Sequence, residues 1–268
     1  MGYKVDKWDM GNSIEYEYKY IGNYGAKGEK RAPKQKATPD QIKRQNQYYR
    51  VKIVRRTIKL NFGQGDLWCT LKYPEGTRKD ISEVKDELKK FLNGMRYDYK
   101  KRGYQFKYIY RLEVGKKGGI HIHILVNRLN DKPDTDMLLQ KRWPQGHVYY
   151  TNIYEYGGYE ALAEYIVKQP DDEIEGQLSL FPEEERKHFI KYQTSKNLVR
   201  PEPVSKEYKR RTLRKLFEEG PEPTPGYYID RDSIRCGTNP YTGMSYYHYT
   251  EIKLDNVAKP ATKKRRRC

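Results

Sequence analysis

The sequence predicts an α+β fold, an antiparallel sheet with helices packed on one face, with a basic N-terminal arm and helix and a C-terminal extension. Three observations predict it. Residues 66–169 read in the order strand, helix, strand, strand, strand, helix. Residues 105–114 and 120–126 flank a glycine-bearing turn, as a hairpin would. Residues 80–101 carry one long apolar stripe, enough to cover a sheet face. The expected boundaries are 1–60 for the arm and helix, 61–200 for the central domain and 201–268 for the extension.

Taken in order, residues 1–37 are polar and rich in Lys and Tyr, and read as an extended arm. Thr38-Pro39-Asp40-Gln41 then starts a helix. Thr38 can cap the first amides, Pro39 suits the first helical position and Gln41 completes a capping box. The helix continues through Ile42, Tyr49, Ile53 and Ile58. Asp66 to Tyr73 reads as the first core strand. In the 80–101 helix, Val84, Leu88, Phe91, Leu92, Met95 and Tyr99 form the stripe, and Gly103 is placed to end it. After the hairpin come a strand at 146–153 and a helix at about 158–169. Residues 170–188 read as an acidic loop, 204–219 as a basic helix, and 221–226 as a Pro-rich link to a Tyr-rich tail ending in Lys263-Lys264-Arg265-Arg266-Arg267.

Charge narrows the partner. With 54 Lys and Arg against 36 Asp and Glu, the net charge is +18, which points to a polyanion, nucleic acid by default. The 27 tyrosines sharpen this, because rings interleaved with cations suit single strands whose bases stack on them. Arg44, Arg55 and Arg56 on the first helix, and Arg111, Lys116 and Lys117 at the hairpin, are the candidate nucleic-acid contacts. A solvated charged helix fits the first three equally. No run of about 18 apolar residues is present, so no membrane partner is expected. No secretion stretch opens the chain, so a cytoplasmic protein is expected. Cys69, Cys236 and Cys268 lack zinc-ligand spacing and suggest no disulfide framework.

His121-Ile122-His123 is the most informative triplet. On a strand, alternate side chains share a face, so the two imidazoles project side by side. A hairpin centred on Lys117 pairs Glu113 with His121 and Arg111 with His123. One face then holds Leu112/Ile122, Tyr110/Ile124 and Tyr108/Val126, uniformly apolar or aromatic. The other holds the polar set. A slip of one residue would destroy this segregation. Two imidazoles beside a carboxylate can hold a divalent cation, with Glu113 either ligating directly or orienting a histidine.

The 158–169 helix has two faces. At about 100° per residue, Tyr159, Leu162 and Ile166 form a core stripe, while Ala161, Tyr165 and Lys168 cluster elsewhere. Tyr165 is the candidate nucleophile, and Tyr159, on the core stripe, is its main competitor. A phenol with a pKa near ~10 needs help at neutral pH, and Lys168 could steady the phenolate, the phosphate or the leaving oxygen.

Glu113, His121-Ile122-His123 and Tyr165-x-x-Lys168 together resemble the HUH endonucleases, more narrowly the rolling-circle replication initiators of small single-stranded DNA phages and bacterial mobile elements. Asn61-Phe62 through Asp66, with Thr70-Leu71-Lys72-Tyr73, resemble that group's first motif. The resemblance implies an RNA-recognition-like sheet, Mg2+ or Mn2+ on His121, His123 and Glu113, and a 5′-phosphotyrosine formed by Tyr165 on origin single-stranded DNA. The single motif tyrosine is similar to the one-tyrosine type. With no G-x-x-x-x-G-K-[ST] motif, unwinding and synthesis are expected from a host helicase and polymerase. Transposases and relaxases share this chemistry, and a non-catalytic single-stranded nucleic-acid-binding protein is the alternative of a different class.

Overall fold

The computed structural model describes residues 2–21, 31–115, 118–154, 156–169, 175–176, 178–179, 181–209 and 213–254. Lys116, Lys117 and the basic run at 263–267 lie outside the described residues. The chain divides into two compact units, one of residues 1–42 with 201–268 and one of residues 43–200. In chain order the elements are β1 (Tyr3–Asp9), β2 (Ser13–Tyr20), α1 (Pro39–Asn61), β3 (Leu67–Lys72), α2 (Ile81–Lys101), β4 (Tyr108–Val114) and β5 (Ile120–Val126). They continue with α3 (Thr135–Arg142), β6 (His147–Asn152), a 3-10 turn (Tyr156–Tyr159), α4 (Glu160–Val167), α5 (Glu183–Ile190) and β7 (Gln193–Thr194). The last are β8 (Val204–Tyr208), α6 (Arg214–Glu219), β9 (Tyr227–Asn239) and β10 (Met244–Lys253).

The first unit is an antiparallel sheet in the order β8-β1-β2-β10-β9. This corrects two expectations. The arm at 1–37 contains strands β1 and β2, and the basic helix at 204–219 is strand β8 followed by α6. Tyrosines drive both changes. Tyr16 and Tyr18 of β2 stand opposite Tyr249 and Tyr247 of β10. The Tyr16 and Tyr249 rings stack at 4.8 Å and 14°, and Tyr3 stacks on Tyr208 of β8 at 5.1 Å. Leu213 and Leu216 pack on this aromatic face. Strand pairing here outweighs the helix preference of the charged 204–219 segment. The start of α1 forms as expected: the Thr38 hydroxyl accepts from the Gln41 amide at 3.3 Å, and the Thr38 amide donates to Gln41 Oε1 at 2.9 Å.

The second unit is an antiparallel sheet in the order β6-β3-β5-β4-β7. The hairpin register is as the sequence implies, with Glu113 opposite His121 and Arg111 opposite His123. One sheet face, including Leu112, Ile122 and Ile124, packs under Leu88, Phe91, Leu92 and Met95 of α2 and Leu138 and Leu139 of α3. Helices also cover part of the opposite face, which corrects the one-face expectation. There Val51, Val54 and Ile58 of α1 and Ala163 and Ile166 of α4 pack on Ile109 and Leu125. The reason is local: the polar face is apolar at one end, and that end needs a cover. The acidic stretch 170–188, expected as a loop, ends in the first residues of α5, and its residues 170–174, 177 and 180 lie outside the described ones.

An ion pair fastens α3 to α2. Arg142 Nε and Nη2 donate to the two Asp98 carboxylate oxygens at 2.7 and 2.9 Å. Gly94 makes room for it, since a Cβ there would lie 2.7 Å from Arg142 Cδ. Arg142 holds the Asp98 carboxyl below its ordinary value of 3.8. A depressed carboxylate stabilises the fold above its unfolded pKa and loses that contribution as pH falls through the folded value. Asp98→Asn should therefore cost about 1–2 kcal/mol at pH 7 and progressively less below about pH 4. Urea denaturation of both proteins across that range measures this. A pH-independent difference would assign the effect to packing.

Candidate active site

The three central strands and β6 set the site as rows across the polar sheet face. One row runs His147, Lys72, His121, Glu113, and the next runs Tyr149, Thr70, His123, Arg111. A third row, Thr151, Trp68, Leu125, Ile109, leads under the helices. Helix α4 passes over this end of the sheet, anchored by buried Tyr159, Ala163, Ile166 and Val167. That leaves Tyr165 half-buried against the second row.

Tyr165, His123 and Glu113 meet. The phenol donates to Glu113 Oε2 at 2.6 Å and lies 3.1 Å from His123 Nε2. His123 Nε2 and Glu113 Oε2 are 3.0 Å apart. Thr70 Oγ1, 3.1 Å from His123 Nδ1, fixes the other side of that ring. Trp68 stacks on His123 at 5.8 Å and 13° and meets Tyr165 edge-on at 5.7 Å. His121 sits on the same face, its ring 6.5 Å from that of His123. A Cβ on Gly115 would lie 2.8 Å from His121 Cε1, so glycine at 115 makes the space this imidazole occupies.

Electrostatics follow from burial and neighbours. His123, then Tyr165, hydrogen-bond Glu113 and pull its carboxyl down to about 2, against the opposing effect of burial. Burial, then the Glu113 carboxylate, push the Tyr165 phenol above its ordinary 10.0. Burial, with Lys72 and His123 nearby, holds His121 below its ordinary 6.5, favouring the neutral imidazole that ligates metals. Two imidazoles and a carboxylate are donor types that ligate divalent cations. His123 Nε2 and Glu113 Oε2 stand 3.0 Å from each other, and His121 shares their face beside the Gly115 space. Among the described residues, however, no three His, Cys, Asp or Glu side chains are gathered closely enough to hold a metal ion. The phenol hydroxyl engages two of the three donors.

Several expected roles change. Arg111 is buried at 6% exposure, and its Nη1 donates to the carbonyls of Tyr165, Ile166 and Lys168 at 2.6, 3.3 and 3.1 Å. It clamps the end of α4. Arg56 is likewise 6% exposed, which removes it as a surface contact. Arg55 is half-buried, and Arg44 is exposed. Helix α4 ends at Val167, so Lys168 follows it as the C-cap residue and lines a small cavity with Arg111 and Glu113. The first motif is largely structural. The Asp66 carboxylate accepts from the amides of Gly63 and Arg128, and the Asn61 amide group donates to the Thr57 and Val199 carbonyls.

Sequence reasoning missed Tyr149, which is 57% exposed with Lys72 Nζ 5.1 Å from its ring centre. It also missed the role of Trp68. Their strands were legible, but the order of those strands in the sheet was not.

Residues 66–170 match the family model of the replication-associated protein ORF2/G2P, a span that holds Glu113, both histidines and Tyr165. No curated protein and no solved structure matches the chain. Among the described residues, no helix is long and apolar enough to cross a membrane.

Proposed function

We propose that this protein nicks and rejoins origin single-stranded DNA through Tyr165 to initiate rolling-circle replication. The observation that carries this reading is the phenol oxygen standing 2.6 Å from Glu113 and 3.1 Å from His123. The family match over residues 66–170 supports a role in replication.

In the reaction, Tyr165 Oη attacks one backbone phosphorus. The Oη–P bond forms and the P–O3′ bond breaks, leaving a 5′-phosphotyrosine and a 3′-oxygen that takes up a proton. The free 3′-hydroxyl primes synthesis. The phosphotyrosine conserves the bond, so a later 3′-hydroxyl can reverse the step and rejoin the strand. At rest the phenol is protonated and Glu113 is its acceptor. Burial and the Glu113 carboxylate hold the phenol in its protonated form, while His123 and Tyr165 keep Glu113 ionised, so proton transfer from Tyr165 to Glu113 is uphill. The site therefore needs added positive charge near the phenol. Mg2+ or Mn2+ held by His121, His123 and Glu113 would supply it, and would also offset charge on the non-bridging phosphate oxygens. Thr70 and Trp68 keep the His123 ring in place, while Lys168 adds charge at the edge of the site. A host helicase and polymerase, acting with it in the cytoplasm, would supply unwinding and synthesis.

Incubation with an origin-bearing single strand and magnesium should give a covalent adduct that mass spectrometry maps to Tyr165, and EDTA should suppress it. An adduct on another residue would end this reading. A companion expectation concerns the strand's path. Tyr149 offers an exposed ring beside the histidine row, suited to base stacking. Tyr149→Ala should weaken single-strand binding by about 1–3 kcal/mol. Fluorescence anisotropy with a labelled oligonucleotide measures this, and unchanged affinity would take Tyr149 off the path.

A further inference from the structure

The phenol that stands as nucleophile also sits among the groups that would hold the ion. Tyr165 Oη lies 2.6 Å from Glu113 Oε2 and 3.1 Å from His123 Nε2. Those two atoms are 3.0 Å from each other. Mg2+ takes ligands at about 2.1 Å in a near-octahedral shell, which sets adjacent ligands about 3.0 Å apart. Glu113 and His123 therefore already have the spacing of neighbouring ligands. What they lack is a free direction. Each imidazole nitrogen has one direction for a hydrogen bond or a metal bond. Thr70 Oγ1 takes that of His123 Nδ1 at 3.1 Å, and the phenol oxygen takes that of Nε2. An ion at about 2.1 Å from Nε2 would crowd an oxygen standing 3.1 Å away on the same side.

The helix is poorly placed to relieve this crowding. Arg111 ties the carbonyls of Tyr165, Ile166 and Lys168 to the sheet, and buried Ala163, Ile166 and Val167 anchor α4 in the core. The Tyr165 side chain is different. It is half-buried and belongs to neither core cluster of this unit. Any displacement therefore falls on that side chain rather than on the backbone that carries it.

We propose that the Tyr165 hydroxyl competes with the divalent cation for His123 and Glu113, so that the cation binds tightly only when this side chain turns away from them. The proposal rests on the metal-assisted reading above and adds a regulation to it. Ion binding and release of the phenol from Glu113 are one coupled event, so the ion and the attacking oxygen are set together.

The test is a titration of the full chain with Mn2+ alone, without DNA, followed by the electron paramagnetic resonance signal of the free ion. Phe at position 165 spares the ion the cost of breaking a charge-assisted hydrogen bond. Tyr165→Phe should therefore bind Mn2+ at least about tenfold more tightly than the wild-type protein. Adding Glu113→Gln to Tyr165→Phe should remove that gain, which places the ion at this site. Equal affinity in the wild-type and Phe proteins would overturn the proposal. Weaker binding by Tyr165→Phe would overturn it too, by making the phenol a ligand rather than a competitor. A gain that survives Glu113→Gln would do the same, by placing the ion elsewhere. The parent reading fails separately, on the adduct assay. Equal Mn2+ affinities beside an adduct that EDTA suppresses would end this proposal alone, whereas an adduct that EDTA leaves untouched would end the role of the metal.

Discussion

Tyr165→Phe is expected to abolish the covalent DNA adduct, by more than about 1000-fold in rate, in a protein that folds and binds its strand as before. The ring has reason to stay in place without its hydroxyl. It meets Trp68 edge-on at 5.7 Å and His123 at 5.2 Å, with the Arg111 guanidinium 5.8 Å from its centre. Losing the hydroxyl removes the bonds to Glu113 and His123 but leaves those two within 3.0 Å of each other. The stability change should therefore stay within about 1 kcal/mol. Tyr159→Phe serves as the control, because Tyr159 is 4% exposed and belongs to the core. Adduct yield on a denaturing gel, read beside anisotropy for binding, separates chemistry from affinity. Wild-type adduct yield from Tyr165→Phe would remove the residue from the role.

What the sequence revealed about this site depended on distance along the chain. The hairpin is local, and one register alone sorts Leu112/Ile122 from Glu113/His121, so its pairing was readable to the residue. Helix α4 was readable because Tyr159 and Ile166 fall on one face and Tyr165 on another. Thr70 and Tyr149 share a row with His123, yet they lie 53 and 26 positions away from it, and nothing in their local pattern fixes that row. The first unit hid for the same reason, since β1 and β2 pair with strands about 200 residues later. Its alternation of Ile14, Tyr16, Tyr18 and Tyr20 was present. The intervening Glu15 and Glu17 made it look like solvated arm, although both are buried. Helix α3 buries only Thr135, Leu138 and Leu139, too few positions to mark a face, and its one visible signal was Asp134, whose carboxylate accepts from the Met137 amide.

Arg111 shows how a residue of the predicted site can matter without touching DNA. A helix ends with carbonyls that lack intrahelical donors and with the negative end of its dipole. In α4 those carbonyls sit above the sheet, and the buried Arg111 guanidinium supplies donors to three of them. One of the three belongs to Tyr165 itself, so the clamp sets where the phenol stands over Glu113 and His123. Arg111→Ala would leave these carbonyls without their cation and open a hole beside the ring, at a cost of about 3 kcal/mol. Adduct formation should fall by about 100-fold even at temperatures where the variant is fully folded, because displacing a reacting group by about 1 Å carries a penalty of that size. Strand affinity should hold, since Arg111 is not on the surface. Arg111→Lys keeps the charge but loses the planar fork, and should fall between the two. Thermal unfolding fixes the temperature for the comparison, and single-turnover adduct kinetics with binding in parallel give the split. If the folded Ala variant reacts at the wild-type rate, Arg111 only stabilises α4 and does not position Tyr165.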